Sequence, residues 1–146
     1  MQVEFKIDPS CAEPKIVVFA AGMTEEIEAL LEKLSEQTMR VIAGQKEGKL
    51  EILEPIELIR VFAQGGKVFA STRRGEYALR MRLYELEERL DSRRFARISN
   101  SEIINLGEVR SFDLSIAGTI CVQMKNGEVA YVSRRYVSKI KKILGL

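Results

Sequence analysis

From residue 49 onward the chain is cut into short runs by tight-turn residues, and this spacing limits the possible folds more than any other feature. KLEIL (49–53) and IELIRVFAQ (56–64) lead into Gly65-Gly66, and KVFAST (67–72) returns. RRGE (73–76) turns the chain again into YALRM (77–81), so two hairpin signals follow one another. FARIS (95–99), EIINL (102–106), VRSFDL (109–114) and GTICVQM (118–124) come next, and Asn126-Gly127 joins the last of these to VAYVS (129–133). Asn-Gly between alternating runs is a strong hairpin signature. Many short strands at close spacing predict an α+β chain that is mainly β, a sandwich or a meander.

Two helices accompany these strands. LYELEERL (83–90) sets Leu83, Leu86 and Leu90 on one face, as a core helix requires. RRYVSKIKKIL (134–144) can dock Tyr136, Val137, Ile140 and Ile143 while Lys139 and Lys142 stay in water. Tyr131 and Tyr136 read as packing anchors, and Cys121 as one cover of a sheet face.

The N-terminal part reads differently. VEFKI (3–7) and KIVVFA (15–20) have strand character and are separated by DPSCAEP (8–14). Thr24 suits an N-cap, and Glu25 and Glu26 suit the positive end of a helix. Ile27, Leu30, Leu31 and Leu34 then share one face, which predicts a helix over 24–37 and a small β-β-α head. The composition shifts at 44–49, where EGK turns the chain. The expected division is therefore a head, 1–46, and a second domain, 47–146. KIVVFA could pair edge to edge with its copy in a second chain, or the head could pack on its own chain.

Composition excludes several chemistries. Hydrophobic residues make up 46% and charged residues 30%, a soluble globular profile. No apolar run approaches a membrane span, and MQVEFKIDPS lacks a signal-peptide apolar region, so a cytoplasmic protein is expected. With no His, a His triad, a His general base or a His-ligated metal is absent. There is no phosphate-binding glycine loop of either common spacing. Cys11 and Cys121 form neither a CxxC pair nor a metal spacing and read as reduced thiols. Carboxylates are plentiful but form no constellation that asks for catalysis, so no enzyme, metal or cofactor is expected.

Charge is unevenly spread. Lys and Arg number six against ten Asp and Glu up to Leu53, nine against seven from Glu54 to Ala96, and eight against four from Arg97 to Leu146. The acidic head and basic tail point to a charge-specialised C-terminal half.

RFARISNSEIINLGEV (94–109) inserts a polar knuckle, Ser99, Asn100, Ser101 and Glu102, between two apolar runs. Neither Gly nor Pro appears there until Gly107, so it is no ordinary turn sequence. From about Glu54 to Leu146 the chain resembles a LytTR-type DNA-binding domain of bacterial transcription regulators. This stretch carries the family's F-x-R-x-[HS]-[RKN]-S-x-[IL]-[VI]-N pattern. NGEVAYVSRRYVSKIKKIL (126–144) carries its glycine turn, a strand ending in Ser, an Arg pair and a basic helix. LYELEERL sits where the family has a short helix.

The resemblance implies an elongated β-sandwich that inserts inter-strand loops into successive grooves of double-stranded DNA. It implies that Asn100 is the central loop residue, approaching the minor-groove side, and that Arg135 reads a base in the major groove, where a bidentate contact with guanine would fit. Arg97 on the exposed side of its strand, Ser99, Ser101, Arg134 and Lys139 are then expected at the DNA backbone. The usual contact from the first hairpin loop falls at Gly66, so Gln64 or Lys67 would have to substitute. The head is too short for a phospho-acceptor receiver domain, so the chain resembles the stand-alone subclass of regulators. Such regulators bind repeated half-sites, here expectedly as a homodimer, and in the family are often encoded beside small membrane proteins that restrain them.

Each residue also has a plainer reading. Asn100 fits a turn residue whose side chain caps its own backbone. Arg134 and Arg135 fit a solvated helix start. The chain as a whole could instead be a protein-interaction module with a basic tail, or a sensor holding a small ligand in its head.

Overall fold

The computed structural model describes residues 1–34 and 41–146. The chain divides into two compact units, Met1–Glu36 and Gln37–Leu146. Among the described residues no helix is long and apolar enough to cross a membrane.

Among the described residues the first unit holds one helix, α1 (Glu25–Leu34). Thr24 caps it as expected: its Oγ accepts from the Ile27 amide at 3.2 Å, and its carbonyl accepts from Glu28 at 2.9 Å. Residues 35–37 of the expected helix lie outside the described residues. Asp8 makes the turn between the two apolar segments, where its Oδ1 accepts from both the amide and the hydroxyl of Ser10. The segments themselves, 3–7 and 15–20, are not strands. A strand needs a ladder partner for its amides and carbonyls, and neither segment has one among the described residues. Val3, Phe5 and Ile7 are each more than four-fifths exposed.

The described residues of the second unit carry ten strands. The first sheet is antiparallel, in the order β2 (Lys49–Leu53), β1 (Ile42–Lys46), β5 (Gly75–Leu79), β4 (Lys67–Thr72), β3 (Leu58–Gln64), β7 (Glu102–Asn105), β6 (Phe95–Ser99). The second is β10 (Val129–Val132), β9 (Ile120–Met124), β8 (Val109–Asp113). The expected strands of residues 49–133 are all present, and the fold is mainly β. Ile42–Lys46, which the sequence reading placed in the head, is a full member of the large sheet, paired with β2 and β5. Gly44 lets it in: a Cβ there would come within 2.7 Å of Leu53 Cδ1 and 3.0 Å of Tyr77 Cβ.

Two apolar clusters cover the two faces of the large sheet. On one face, α2 (Leu83–Arg89) with Leu90 lays Leu83, Leu86 and Leu90 against Val61, Tyr77, Phe95 and Ile103. On the other, Ile59, Ala96, Ile98 and Ile104 meet Ile120, Val122, Met124 and Val132 of the small sheet, and Ile140 of α3 (Arg134–Ile143). Ile103 and Ile104 are sequence neighbours pointing to opposite cores, which is why β7 reads as a continuous apolar run. Bulges at Ile59 and Ile98 adjust the phase. The first turns both Ile59 and Arg60 toward the small sheet. Tyr131 departs from its expected packing role and is 62% exposed on the outer face of β10.

Asn105 ties the ends of these strands together. It is wholly buried, its Nδ2 donates to the Leu58 carbonyl at 2.7 Å, and its Oδ1 accepts from the Gly107 amide at 2.9 Å. Asn105→Ala strands groups buried with it and is expected to cost about 1–3 kcal/mol. Denaturant unfolding should show a lower midpoint at an unchanged slope; a midpoint equal to wild type would show that the Asn105 bonds contribute nothing.

Candidate nucleic-acid interface

Three stretches meet at one end of the large sheet. The first is the turn between β6 and β7. It places Asn100 and Ser101 between Ser99 and Glu102, which pair in register. Neither Asn100 nor Ser101 needs a positive φ, so the turn forms without glycine. The bulge at Ile98 absorbs the mismatch with the strand twist.

Inside this turn the capping is done by Ser99, whose Oγ accepts from the Ser101 amide at 3.2 Å and lies 3.3 Å from the Ser101 hydroxyl. Asn100 therefore does not cap its own backbone. Its side chain is exposed, and its Oδ1 is at the 3.5 Å limit of a bond from Tyr136 Oη.

The second stretch is the β3–β4 turn. Gly65 and Gly66 have φ of 60° and 76°, the doubly left-handed geometry of a tight hairpin turn. No ordinary side chain sits comfortably at the φ of Gly66, so the tip of this turn offers none there. Gln64 and Lys67 flank the turn as a register pair, and both are exposed. The Ala63 amide donates to the Ser101 carbonyl at 2.8 Å, locking this turn beside the knuckle.

The third stretch is the start of α3. The Ser133 amide donates to the Ile98 carbonyl at 2.9 Å, which sets the helix against β6. Ile140 is fully buried and Tyr136 partly so, leaving Arg134, Arg135 and Lys139 exposed. The Arg135 guanidinium stands 5.9 Å from the centre of the Tyr136 ring, and that of Arg134 lies along Gly118. Among the described residues none of these three cations has a carboxylate partner within ion-pair distance.

Arg97 does not sit where the sequence reading expected it. It lies on the α2 side of β6 with its side chain only 12% exposed, paired with Glu87 of α2. The opposite side of the knuckle carries a network that no sequence motif marks. Arg60 bridges Glu102 at 3.0 Å and Glu128 at 2.6 Å, and Ser71 Oγ donates to Glu128 at 2.7 Å. Burial pushes the Glu102 carboxyl above the usual 4.5, despite Arg60 beside it, and its Oε2 has no hydrogen-bond partner among the described residues. Burial alone would raise Glu128 too, but its bonds from Ser71 and Arg60 prevail and hold it below the usual value.

At the other end of the sheet, an open cleft of about 440 Å³ is lined by Ile56, Glu57, Arg73, Arg74, Arg94 and Glu108. Ion pairs Arg73–Glu108, at 3.2 Å, and Arg74–Glu57, at 3.0 Å, offset much of its charge. Among the described residues no group of three or more carboxylates and thiols is placed to hold a metal.

The LytTr DNA-binding domain family matches residues 48–145, the stretch that carries all three surfaces. The chain belongs to the LytTR family. The solved structure of a LytTr DNA-binding domain from Bacillus cereus superposes with a TM-score of 0.71, covering 74% of this chain and 99% of that one at 22% identity, which supports the fold. Full-length similarity extends to Staphylococcus aureus proteins. The uncharacterized HTH-type transcriptional regulator SAB2242 (strain bovine RF122) is 28% identical over 147 residues, 100% of this chain and 99% of its own length. SAOUHSC_02645 (strain NCTC 8325), of the same description, is 27% identical over the same span. The likeness thus includes the head. The LytTR unit here contains no helix-turn-helix: α2 and α3 are separated by five strands.

The Glu102 carboxyl gives a pH signature. With its pKa raised in the folded state, the native chain holds this proton longer than the unfolded chain, so Glu102 detracts from stability as pH rises above about 4.5. Relative to Glu102→Gln, wild type is expected to lose stability between pH 4 and pH 7 in denaturant titrations. Parallel pH profiles for the two proteins would remove Glu102 as the cause.

Proposed function

We propose that this LytTR chain is a sequence-specific transcriptional regulator, working in the cytoplasm, that reads double-stranded DNA with the three joined stretches at one end of its large sheet. The observation that carries the reading is the division of labour in the knuckle. Ser99 satisfies the backbone, so the Asn100 carboxamide is left exposed, with donor and acceptor available to base edges. Beside it stand cations without a carboxylate partner among the described residues, which phosphates would neutralise with release of counterions.

In this reading Asn100 and Arg135 contact bases, and Gln64 or Lys67 reaches the groove that Gly66 cannot address. Arg135 offers guanine the two-pronged donor set that matches its major-groove acceptors. Ser99, Ser101, Arg134 and Lys139 hold the DNA backbone and fix the register. The names of the staphylococcal relatives, transcriptional regulators, agree with this assignment.

Selection of bound duplexes from a random pool, followed by sequencing, tests the reading. Arg135→Ala should cost roughly 1–3 kcal/mol of discrimination at its base pair. Lys139→Ala and Arg134→Ala should instead weaken binding to all duplexes alike and lower the salt slope by about one unit each. If no duplex is retained even at low salt, DNA reading fails and a protein-interaction module becomes the better description.

We further infer that the segment ahead of β1 pairs two copies while the unit that contains the two sheets holds DNA. One copy presents few loop tips, and exposed Val3, Phe5, Ile7 and Phe19 on ladder-free segments are suited to a second chain. Two copies on one face of the duplex need half-sites spaced by whole turns, near 10.5 base pairs or a multiple. Full-length protein should bind two-site duplexes cooperatively, and a half-turn insertion should abolish this. A chain starting at Val41, which keeps β1, should bind without cooperativity; cooperativity retained there would place pairing elsewhere.

A further inference from the structure

Arg97 is the residue whose placement the DNA-reading surface leaves unexplained. All three nitrogens of its guanidinium are engaged. Nε donates to the Ser99 carbonyl at 2.7 Å, Nη2 donates to the Asn100 carbonyl at 2.6 Å, and Nη1 pairs with Glu87. The fork thus grips two successive peptide groups of the knuckle from below. Glu87 holds the fork from α2, an element anchored by the buried Leu83 and Leu86.

We propose that Arg97 is a positioning residue that shapes the reading knuckle from within, with Glu87 as its anchor, and that it is not a phosphate contact. The proposal rests on the DNA-reading role given above and deepens it. A planar guanidinium fixes both distance and angle of what it binds, which a point charge cannot do. Two carbonyls held in one fork set the peptide planes on either side of Asn100, and so the direction of its side chain. A phosphate contact would need the guanidinium in solvent, and 12% exposure with every nitrogen committed leaves little to offer. The turn contains no glycine or proline of its own to fix its shape. The clamp supplies that constraint, and the Ala63 bond to Ser101 passes it to the β3–β4 turn.

The test compares Arg97→Ala, Arg97→Lys and Glu87→Ala with wild type in two measurements. The first needs no DNA: amide hydrogen exchange of the free full-length protein. Exchange at Ser101 and Ala63 should quicken severalfold in Arg97→Ala, while amides between β4 and β5 keep their wild-type rates. Unchanged exchange at Ser101 and Ala63 overturns the clamp. General acceleration, the mark of a chain that has lost its fold, is met by Glu87→Ala, which removes only the anchor and should show the local effect.

The second measurement is binding to a selected duplex and to a scrambled one across a salt series. All three variants should lose preference by about tenfold or more while keeping the wild-type salt slope. Glu87→Ala discriminates most sharply. If Arg97 were a phosphate contact, releasing it and deleting a nearby negative charge would tighten binding to every duplex. That result, preference retained in Arg97→Lys, or a slope lowered by about one unit in Arg97→Ala with preference intact would each overturn the proposal. Absence of any preference in wild type would instead sink the DNA-reading function, leaving the clamp to be judged by exchange.

Discussion

The strands β3, β7 and β6 must be buried on both faces, and the rest of the LytTR unit is organised by that demand. α2 covers one side, and the small sheet with α3 covers the other. A one-residue slip would carry every side chain of a strand into the opposite core, and the two packed faces penalise that shift of register. The bulges at Ile59 and Ile98 are solutions to this problem, since each changes the phase of its strand between the two cores. The loop ends of these strands inherit the rigidity of the packed layers. That is how short turns can serve as a defined surface.

Charge follows the same plan. The knuckle is flanked on one side by Glu87–Arg97 and on the other by Arg60 with Glu102 and Glu128. In both places the cation lies beneath the surface and is matched by carboxylate. The cations at the surface, Arg134, Arg135 and Lys139, are instead carried by α3, whose buried face is anchored by Ile140. The paired, largely buried arginines are thereby separated from exposed arginines that have no carboxylate partner among the described residues. Burial disfavours the ionised form of Glu102 and raises its pKa even with one shared Arg beside it.

The head contrasts with this. Its helix is local: Thr24 caps it, and acidic residues fill its first turn. Its apolar segments, VEFKI alternating and KIVVFA continuous, have the side-chain patterns of strands without, among the described residues, the partners that strands require. Alternation describes a side-chain pattern, while a ladder also depends on a second stretch of backbone, which a one-dimensional pattern cannot supply.

Much was already present in the order of residues. The hairpins at Gly65-Gly66 and Asn126-Gly127, the leucine face of α2, the amphipathic α3 and the polar knuckle are short-range features. Turn chemistry and periodicity act between near neighbours and can be read from them. Tertiary structure decided what depends on distant segments: that β1 joins the large sheet, that Tyr131 faces outward, and that Ser99 caps the turn in place of Asn100. It also turned Arg97 inward to Glu87 and brought Arg60 to Glu128 across the two sheets. A side chain's partner is fixed by which strand lies beside its own and which face the bulges present, and those are properties of packing between residues far apart in the chain.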